Sequence, residues 1–157
     1  MQLGRIYIFG ASCSGKSSLA QALHTKLGNE WTYLDRDLFI ETGTCADGTA
    51  NAFLDIKIRE MTNRVIVDAQ IPWKSKEKGD LYLLVHAPLD VLLQRNSIRT
   101  ANLQRSATRA LHAKQYVINT HKQLDQQPKE QFDACFDSST ASIEALVHQV
   151  VLLLLQK

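Results

Sequence analysis

An eight-residue pattern near the start of the chain limits the fold more than any other feature. Residues 10–17, GASCSGKS, follow the scheme G-x-x-x-x-G-K-[ST]. A β-branched and aromatic run, Ile6-Tyr7-Ile8-Phe9, precedes the pattern, and leucines four residues apart follow it between Lys16 and Leu27. This order of strand, glycine-containing loop and helix is the context in which the pattern forms a phosphate-binding loop, or P-loop.

A P-loop holds a chain of phosphates with its backbone N–H groups and with the positive end of the following helix. The glycines permit the tight backbone that this requires. We expect Lys16, at the exposed mouth of the sheet, to neutralise the β- and γ-phosphates, and the Ser17 hydroxyl to help hold Mg²⁺ between their oxygens. The residues expected to bind the phosphates are Gly10, Ala11, Ser12, Cys13, Ser14, Gly15, Lys16, Ser17 and Ser18.

Further apolar runs alternate with helical patterns along the rest of the chain. Strands are predicted at 31–34, 64–68, 81–85 and 132–137, and helices at 53–61, from Pro88, at 107–118 and in a last segment that ends at Leu155. The triplet Ser138-Ser139-Thr140 is expected to cap that last helix. Five strands that alternate with helices predict an α/β fold, a three-layer α/β/α sandwich around a five-stranded parallel sheet.

Composition and charge restrict the functional classes. A length of 157 residues predicts one domain, spanning residues 1–157, and a net charge of +2 favours neither nucleic acid nor an anionic membrane as partner. The three cysteines, Cys13, Cys45 and Cys135, form no metal-binding or disulfide pattern, which indicates a reducing compartment. The N-terminal segment has no secretory pattern, so a cytoplasmic location is expected.

Aspartates follow two of the predicted strands, at the sheet edge where ligands of α/β proteins bind. Asp68 ends the run Val65-Ile66-Val67 and is expected to lie near the metal, although an aspartate there is also a common turn or cap residue. Asp37 either accepts a proton from a substrate hydroxyl or caps a helix that starts at Leu38. Asp35 leaves the same strand two residues earlier and is the next carboxylate to consider.

Arginines are concentrated in a predicted connector between two helices. A flexible lid around 95–109 would bring guanidinium groups onto the transferred phosphoryl group, but the same residues also fit a solvated helical face. They are Arg95, Arg99, Arg105 and Arg109. The histidines show no ligand spacing and are assigned no role.

The chain resembles the small P-loop kinases, and most closely the chloramphenicol phosphotransferase-like group. The segments that carry the resemblance are 8–17, 31–40, 64–68, 113–117, 137–139 and 142–144. The resemblance implies ATP as donor with Mg²⁺, Asp37 as catalytic base on a substrate hydroxyl, and Arg95, Arg99 and Arg105 in the lid, with Arg99 and Lys16 acting in catalysis. The chain has Ala69 where the group has a second aspartate, and its segment 41–63 is shorter.

The expected activity is transfer of the ATP γ-phosphoryl group to a hydroxyl of a small molecule, as in chloramphenicol phosphotransferase. Another acceptor of the same reaction, such as a sugar acid, a nucleoside or a sugar nucleotide as in zeta toxins, is the nearest alternative. A GTPase switch is disfavoured because the chain has no N-K-x-D segment to bind guanine. A regulatory module that binds nucleotide without turnover is a further alternative. The acceptor and the oligomeric state do not follow from the sequence.

Overall fold

The computed structural model describes residues 4–156 as five β-strands and six α-helices. Residues 1–3 and 157 of the expected domain lie outside this range. The strands are β1 (Arg5–Phe9), β2 (Trp31–Asp35), β3 (Arg64–Asp68), β4 (Asp80–His86) and β5 (Ala134–Asp137). The helices are α1 (Lys16–Leu27), α2 (Arg36–Glu41), α3 (Ala50–Glu60), α4 (Leu89–Asn102), α5 (Ala107–Asp125) and α6 (Ile143–Leu155).

The strands form one parallel sheet in the order β2-β3-β1-β4-β5. β1, the first strand in sequence, therefore lies in the middle of the sheet between β3 and β4. The carboxyl ends of β1, β2 and β3 meet at one edge, and Asp35 pairs in register with Asp68 there. The structure confirms the α/β fold with a five-stranded parallel sheet.

The core has two halves, one on each face of the sheet, because side chains of a strand alternate between its faces. Tyr7 and Phe9 of β1 point into a cluster that α3, α4 and α5 complete. Ile6 and Ile8 point to the opposite face, where leucines and valines of α1 and α6 cover them. Within residues 4–156, no helix has the length and apolar character needed to span a membrane.

Two helix caps differ from the sequence-based expectation. Asp35 caps α2, since its Oδ1 accepts hydrogen bonds from the backbone N–H groups of Asp37 and Leu38 at 2.9 and 3.1 Å. The alternative role of Asp37, as the cap of this helix, is therefore wrong. Ser142 caps α6 by accepting from Ala145 N–H at 3.2 Å, so the expectation for 138–140 is also wrong, and those residues form a turn.

The predicted arginine-rich connector is largely helical. α4 extends to Asn102 and α5 begins at Ala107, so the turn between them consists of residues 103–106 alone. Arg95 and Arg99 lie on α4 and Arg109 lies on α5, whereas Arg105 lies in the turn. The apolar stripe that begins at Leu89 underestimates the length of α4, because the residues of its last turns are mainly polar.

Candidate active site

The P-loop connects the central strand β1 to α1 and has the backbone expected of its sequence. Gly15 has φ +94°, a left-handed conformation that glycine adopts without a steric penalty. Cys13 has φ +68°, which is rare for a residue with a side chain and typical of loops whose shape serves binding. Gly10 is constrained by space instead, since a Cβ atom there would lie 2.4 Å from Ser14 Oγ and 2.6 Å from the Val85 carbonyl oxygen.

Gly10→Ala is therefore expected to destabilise the fold by about 1–3 kcal/mol, because the added methyl group forces the loop away from β4. Urea denaturation measures this change. Gly4→Ala is the matched control, since nothing lies within 4 Å of a Cβ atom at Gly4. Equal unfolding free energies for the two variants would contradict the close packing of the loop against Val85.

Lys16 is buried between two carboxylates. Its Nζ lies 3.4 Å from Asp68 Oδ1 and 3.8 Å from Asp37 Oδ2, and its side chain is 7% exposed. The expectation of an exposed Lys16 is wrong, because the residues after β2 and β3 cover the ammonium group. The structure thus brings together the three residues that the sequence singled out on separate segments.

Asp68 is the most deeply buried acid of the site, with 1% of its side chain exposed. Burial raises the pKa of the Asp68 carboxyl above its usual range, and the Lys16 ammonium group opposes this effect only in part. The Tyr33 hydroxyl donates a hydrogen bond to Oδ2 at 3.0 Å, whereas Oδ1 has no hydrogen-bond partner of ordinary geometry among residues 4–156. A buried oxygen with free coordination capacity suits a hard cation such as Mg²⁺.

Asp37 lies at the start of α2, and 40% of its side chain is exposed. Gln70 Nε2 donates to both of its oxygens, at 3.0 Å to Oδ1 and 3.2 Å to Oδ2. Arg36 Nη1 lies 3.4 Å from Oδ1, although this guanidinium group makes a shorter ion pair of 2.6 Å with Asp47. The carboxylate is thus oriented by several donors and remains accessible to a ligand.

An open cavity of about 370 Å³ lies beside Asp37. Its lining is rich in charged and amide side chains: Ser12, Arg36, Asp37, Ile40, Glu41, Asp47, Gln70, Asn96, Arg99, Arg105, Ala113 and Tyr116. Arg99 makes no ion pair with any residue in the described range, and Arg105 donates only to neutral oxygens of Thr100 and Asn96, at 3.1 and 3.5 Å. Two guanidinium groups therefore lack a carboxylate partner at this cavity.

Arg95 has a different position from the other arginines of α4. Its guanidinium group donates to the Cys13 carbonyl oxygen at 3.2 Å and to Ser138 Oγ and the Ser138 carbonyl oxygen at 2.9 Å each. It therefore joins the P-loop to the turn after β5. Arg109 does not line the cavity.

Sequence reasoning assigned no role to three lining residues that bond to Asp37 or to one another: Arg36, Gln70 and Tyr116. Each has a positional signal, because Arg36 lies between the two aspartates, Gln70 comes two residues after Asp68, and Tyr116 belongs to the segment 113–117 that carries part of the family resemblance. Their side chains meet only when α5 packs across the end of β3. Their contacts with Asp37 and with one another therefore required the structure.

The P-loop, the parallel sheet and the acidic residues at its carboxyl edge define the kinase-like class of P-loop proteins. The chain belongs to the chloramphenicol phosphotransferase-like family, whose model matches residues 4–151. A search among curated proteins finds no match.

Solved structures of small kinases share the fold. A shikimate kinase from Acinetobacter baumannii in complex with shikimate has a TM-score of 0.68 at 17% identity, with 99% of this chain and 94% of that chain covered. A shikimate kinase from Bacteroides thetaiotaomicron has a TM-score of 0.63 at 19% identity, covering 96% and 98%. A gluconokinase from Sinorhizobium meliloti 1021 has a TM-score of 0.62 at 17% identity, covering 96% and 90%.

Proposed function

We propose that the protein transfers the γ-phosphoryl group of ATP to a hydroxyl group of a small molecule. The observation that carries this proposal is the position of Lys16 Nζ, 3.8 Å from Asp37 Oδ2 at the wall of an open polar cavity. A cation that binds phosphate and a carboxylate that can accept a proton are thus neighbours. This arrangement suits an acceptor hydroxyl that approaches the terminal phosphate.

The residues divide into those that hold the donor and those that act on the acceptor. The backbone of residues 10–17 and the Lys16 ammonium group hold the phosphates, and Asp68 with Ser17 would hold Mg²⁺, which neutralises charge on the phosphate oxygens when bound. Asp37 orients the acceptor hydroxyl and takes its proton. Arg99 and Arg105, which have no carboxylate partner, bind phosphate oxygens as the segment around 95–109 closes.

Arg95 supports the donor site indirectly, through the P-loop and the turn after β5. It donates to the Cys13 carbonyl oxygen and to Ser138, so three of its five N–H donors are used within the protein. We propose that it fixes the shape of the P-loop and the adjacent turn, where the rest of the nucleotide lies.

The polar lining of the cavity favours a small hydroxylated acceptor. A sugar acid meets this criterion, and the fold neighbours include a gluconokinase and a shikimate kinase that holds shikimate. Chloramphenicol is the acceptor that the family description names, and the family model matches residues 4–151. It is therefore also a candidate acceptor. Sugar acids and chloramphenicol are therefore the first acceptors to test.

Measuring ATP consumption with a panel of acceptors tests the proposal. The panel contains chloramphenicol, sugar acids, nucleosides and sugar nucleotides, and mass spectrometry checks for a product heavier by one phosphoryl group. We expect consumption to depend on one class of acceptor. Binding of ATP with no acceptor-dependent turnover would contradict the proposal and favour a module that binds nucleotide without transfer.

The thiol of Cys13 provides a second test, of the donor site alone. Cys13 lies within the P-loop and is partly exposed, with Sγ 3.8 Å from Ser12 Oγ. We expect saturating ATP with Mg²⁺ to slow its alkylation, because phosphates bound in the loop cover the thiol. Mass spectrometry resolves the sites, and the exposed Cys135 on β5 is the internal control. Equal labelling of Cys13 with and without nucleotide would contradict phosphate binding in this loop.

A further inference from the structure

We propose that Gln70 is a positioning residue for Asp37, and that the Tyr116 hydroxyl holds Gln70 in the orientation that this task requires. The inference rests on the proposed function, because it concerns the carboxylate that we assign as base. It adds two residues that touch neither the donor phosphates nor the transferred proton.

Gln70 makes the shortest contacts to the Asp37 carboxylate. Its Nε2 lies 3.0 and 3.2 Å from the two oxygens, whereas Arg36 Nη1 and Lys16 Nζ approach to 3.4 and 3.8 Å. Arg36 is also engaged by Asp47 and Asn51, and Lys16 lies closer to Asp68. Gln70 is therefore the neutral donor that sets the plane and direction of the carboxylate.

The amide group of a glutamine has a donor end and an acceptor end, and only the donor end can face a carboxylate. The opposite end of Gln70, Oε1, accepts a hydrogen bond from the Tyr116 hydroxyl on α5. Rotation of the amide by half a turn would place an oxygen against the Asp37 carboxylate, which cannot donate a hydrogen bond. The carboxylate therefore selects the orientation of the amide, and the Tyr116 hydroxyl holds that orientation by donating to Oε1.

The backbone of Gln70 is fixed as firmly as its side chain. Its carbonyl oxygen accepts a hydrogen bond of 3.1 Å from Gly10 N–H, the first residue of the P-loop, and its side chain is almost completely buried. One residue therefore bonds to the donor loop through its backbone and to the acceptor-side carboxylate through its side chain. This connection fixes the separation between the two halves of the site.

Gln70 would keep the Asp37 carboxylate directed at the acceptor hydroxyl. The carboxylate oxygens nevertheless remain accessible, because 40% of the Asp37 side chain is exposed. Orientation of a reacting group within a few tenths of an ångström is worth a large factor in rate, and a misplacement of about 1 Å costs about 10²-fold. Burial and the Asp37 carboxylate both raise the pKa of the Tyr116 phenol, so this group remains a hydrogen donor at neutral pH.

The first experiment measures the contacts without requiring turnover. In NMR spectra of the ligand-free protein, the Gln70 side-chain amide protons should exchange slowly with solvent, and Asp37→Asn and Tyr116→Phe should each shift both resonances. The side-chain amide of Gln115, which bonds to Asn119 on an exposed face of α5, is the internal control and should not shift. Gln70 amide protons that exchange as fast as those of Gln115 would overturn the proposal.

The second experiment measures turnover with the acceptor that the panel identifies. We expect kcat to fall about 10-fold in Tyr116→Phe and about 10²-fold in Gln70→Met, with the Kd of ATP unchanged within a factor of about three. Gln115→Leu should retain parental kcat, since its side chain contacts neither Asp37 nor the cavity. Loss of ATP affinity in parallel with kcat would indicate a structural defect and would overturn the positioning role.

The two experiments separate failure of the inference from failure of the proposed function. If no acceptor is phosphorylated, the proposed function fails. If Asp37→Asn retains transfer, the protein is still a kinase but Asp37 is not its base. In both cases the NMR result still decides whether Gln70 holds the carboxylate. If transfer requires Asp37 but Tyr116→Phe and Gln70→Met both retain parental kcat, the proposed function stands and the positioning role fails. Gln70→Met preserves the length of the side chain. If Gln70→Met does not fold, Tyr116→Phe tests the same contacts, from Tyr116 through Gln70 to Asp37, with a smaller change.

Discussion

Asp37→Asn is expected to lower phosphoryl transfer by about 10²–10⁴-fold while the affinity for ATP remains within a few-fold of the parent. Asparagine keeps the shape of the side chain and one acceptor oxygen for Gln70, but it cannot take a proton. The substitution therefore removes the base and leaves most of its surroundings in place. Steady-state kinetics with the identified acceptor, and titration calorimetry with ATP, measure the two effects separately.

Asp35 is the matched control because it leaves the same strand two residues earlier. Its carboxylate is used in capping α2, and asparagine caps a helix about as well as aspartate, so Asp35→Asn should alter stability by less than about 0.5 kcal/mol and transfer by only a few-fold. If Asp37→Asn retained more than about a tenth of the parental rate, Asp37 would not be the base. A large loss confined to Asp35→Asn would move that role to Asp35.

Lys16→Ala should weaken ATP binding by about 10–100-fold and reduce transfer by a further 10²–10³-fold or so. The ammonium group is the one cation of the described chain within 4 Å of both Asp37 and Asp68, and charge on the phosphate oxygens is greatest during transfer. Lys16→Met, which retains the aliphatic stem, should show the same losses if the charge is responsible. Lys26→Ala, at the exposed end of α1, is the control and should bind ATP normally.

The same substitution should change how the stability of the ligand-free protein depends on pH. The pKa of Asp68 is higher in the folded than in the unfolded protein, so the charged carboxylate destabilises the fold. The free energy of unfolding therefore decreases as the pH rises from the unfolded-state pKa through the folded-state pKa. The Lys16 ammonium group lowers the folded-state pKa of Asp68, so removing it extends this loss of stability to higher pH. Thermal unfolding should show a greater loss between acidic and neutral pH in Lys16→Ala than in the parent. Parallel pH profiles would contradict the pairing of Lys16 with Asp68.

The fold could be predicted from the sequence because its determining signals are local. The run Arg64–Asp68 and the P-loop with α1 match the structure at their ends, since a continuous apolar run and a glycine before an amphipathic helix each specify their own boundaries. Helical patterns between most of the predicted strands indicate crossover connections, which make the sheet parallel. Asp37, Asp68 and Lys16 followed from their places after β2, β3 and β1.

The finer arrangement of the site could not be predicted because it depends on contacts between distant segments. Asp35 and Asp37 are the same residue type two positions apart, and only the backbone angles at the end of β2 decide which of them caps α2. Arg95 cannot be distinguished from Arg99 and Arg105 in the sequence. It lies about one helical turn before Arg99 on α4, and from there its side chain reaches Cys13 and Ser138. Gln70 acquires its partners only when α2 and α5 both reach the end of β3.

The central place of β1 in the sheet has a consequence for the order in which the chain can fold. β1 precedes the other strands, but its neighbours β3 and β4 begin at residues 64 and 80, so the strand that carries the P-loop has partners on both sides only when half of the chain is available. The bonds from Arg95 to Cys13 and Ser138 depend on still later segments. Contacts so distant in sequence are slow to form. We therefore expect the proposed affinity for nucleotide to arise late in folding, once the segments up to Ser138 are in place.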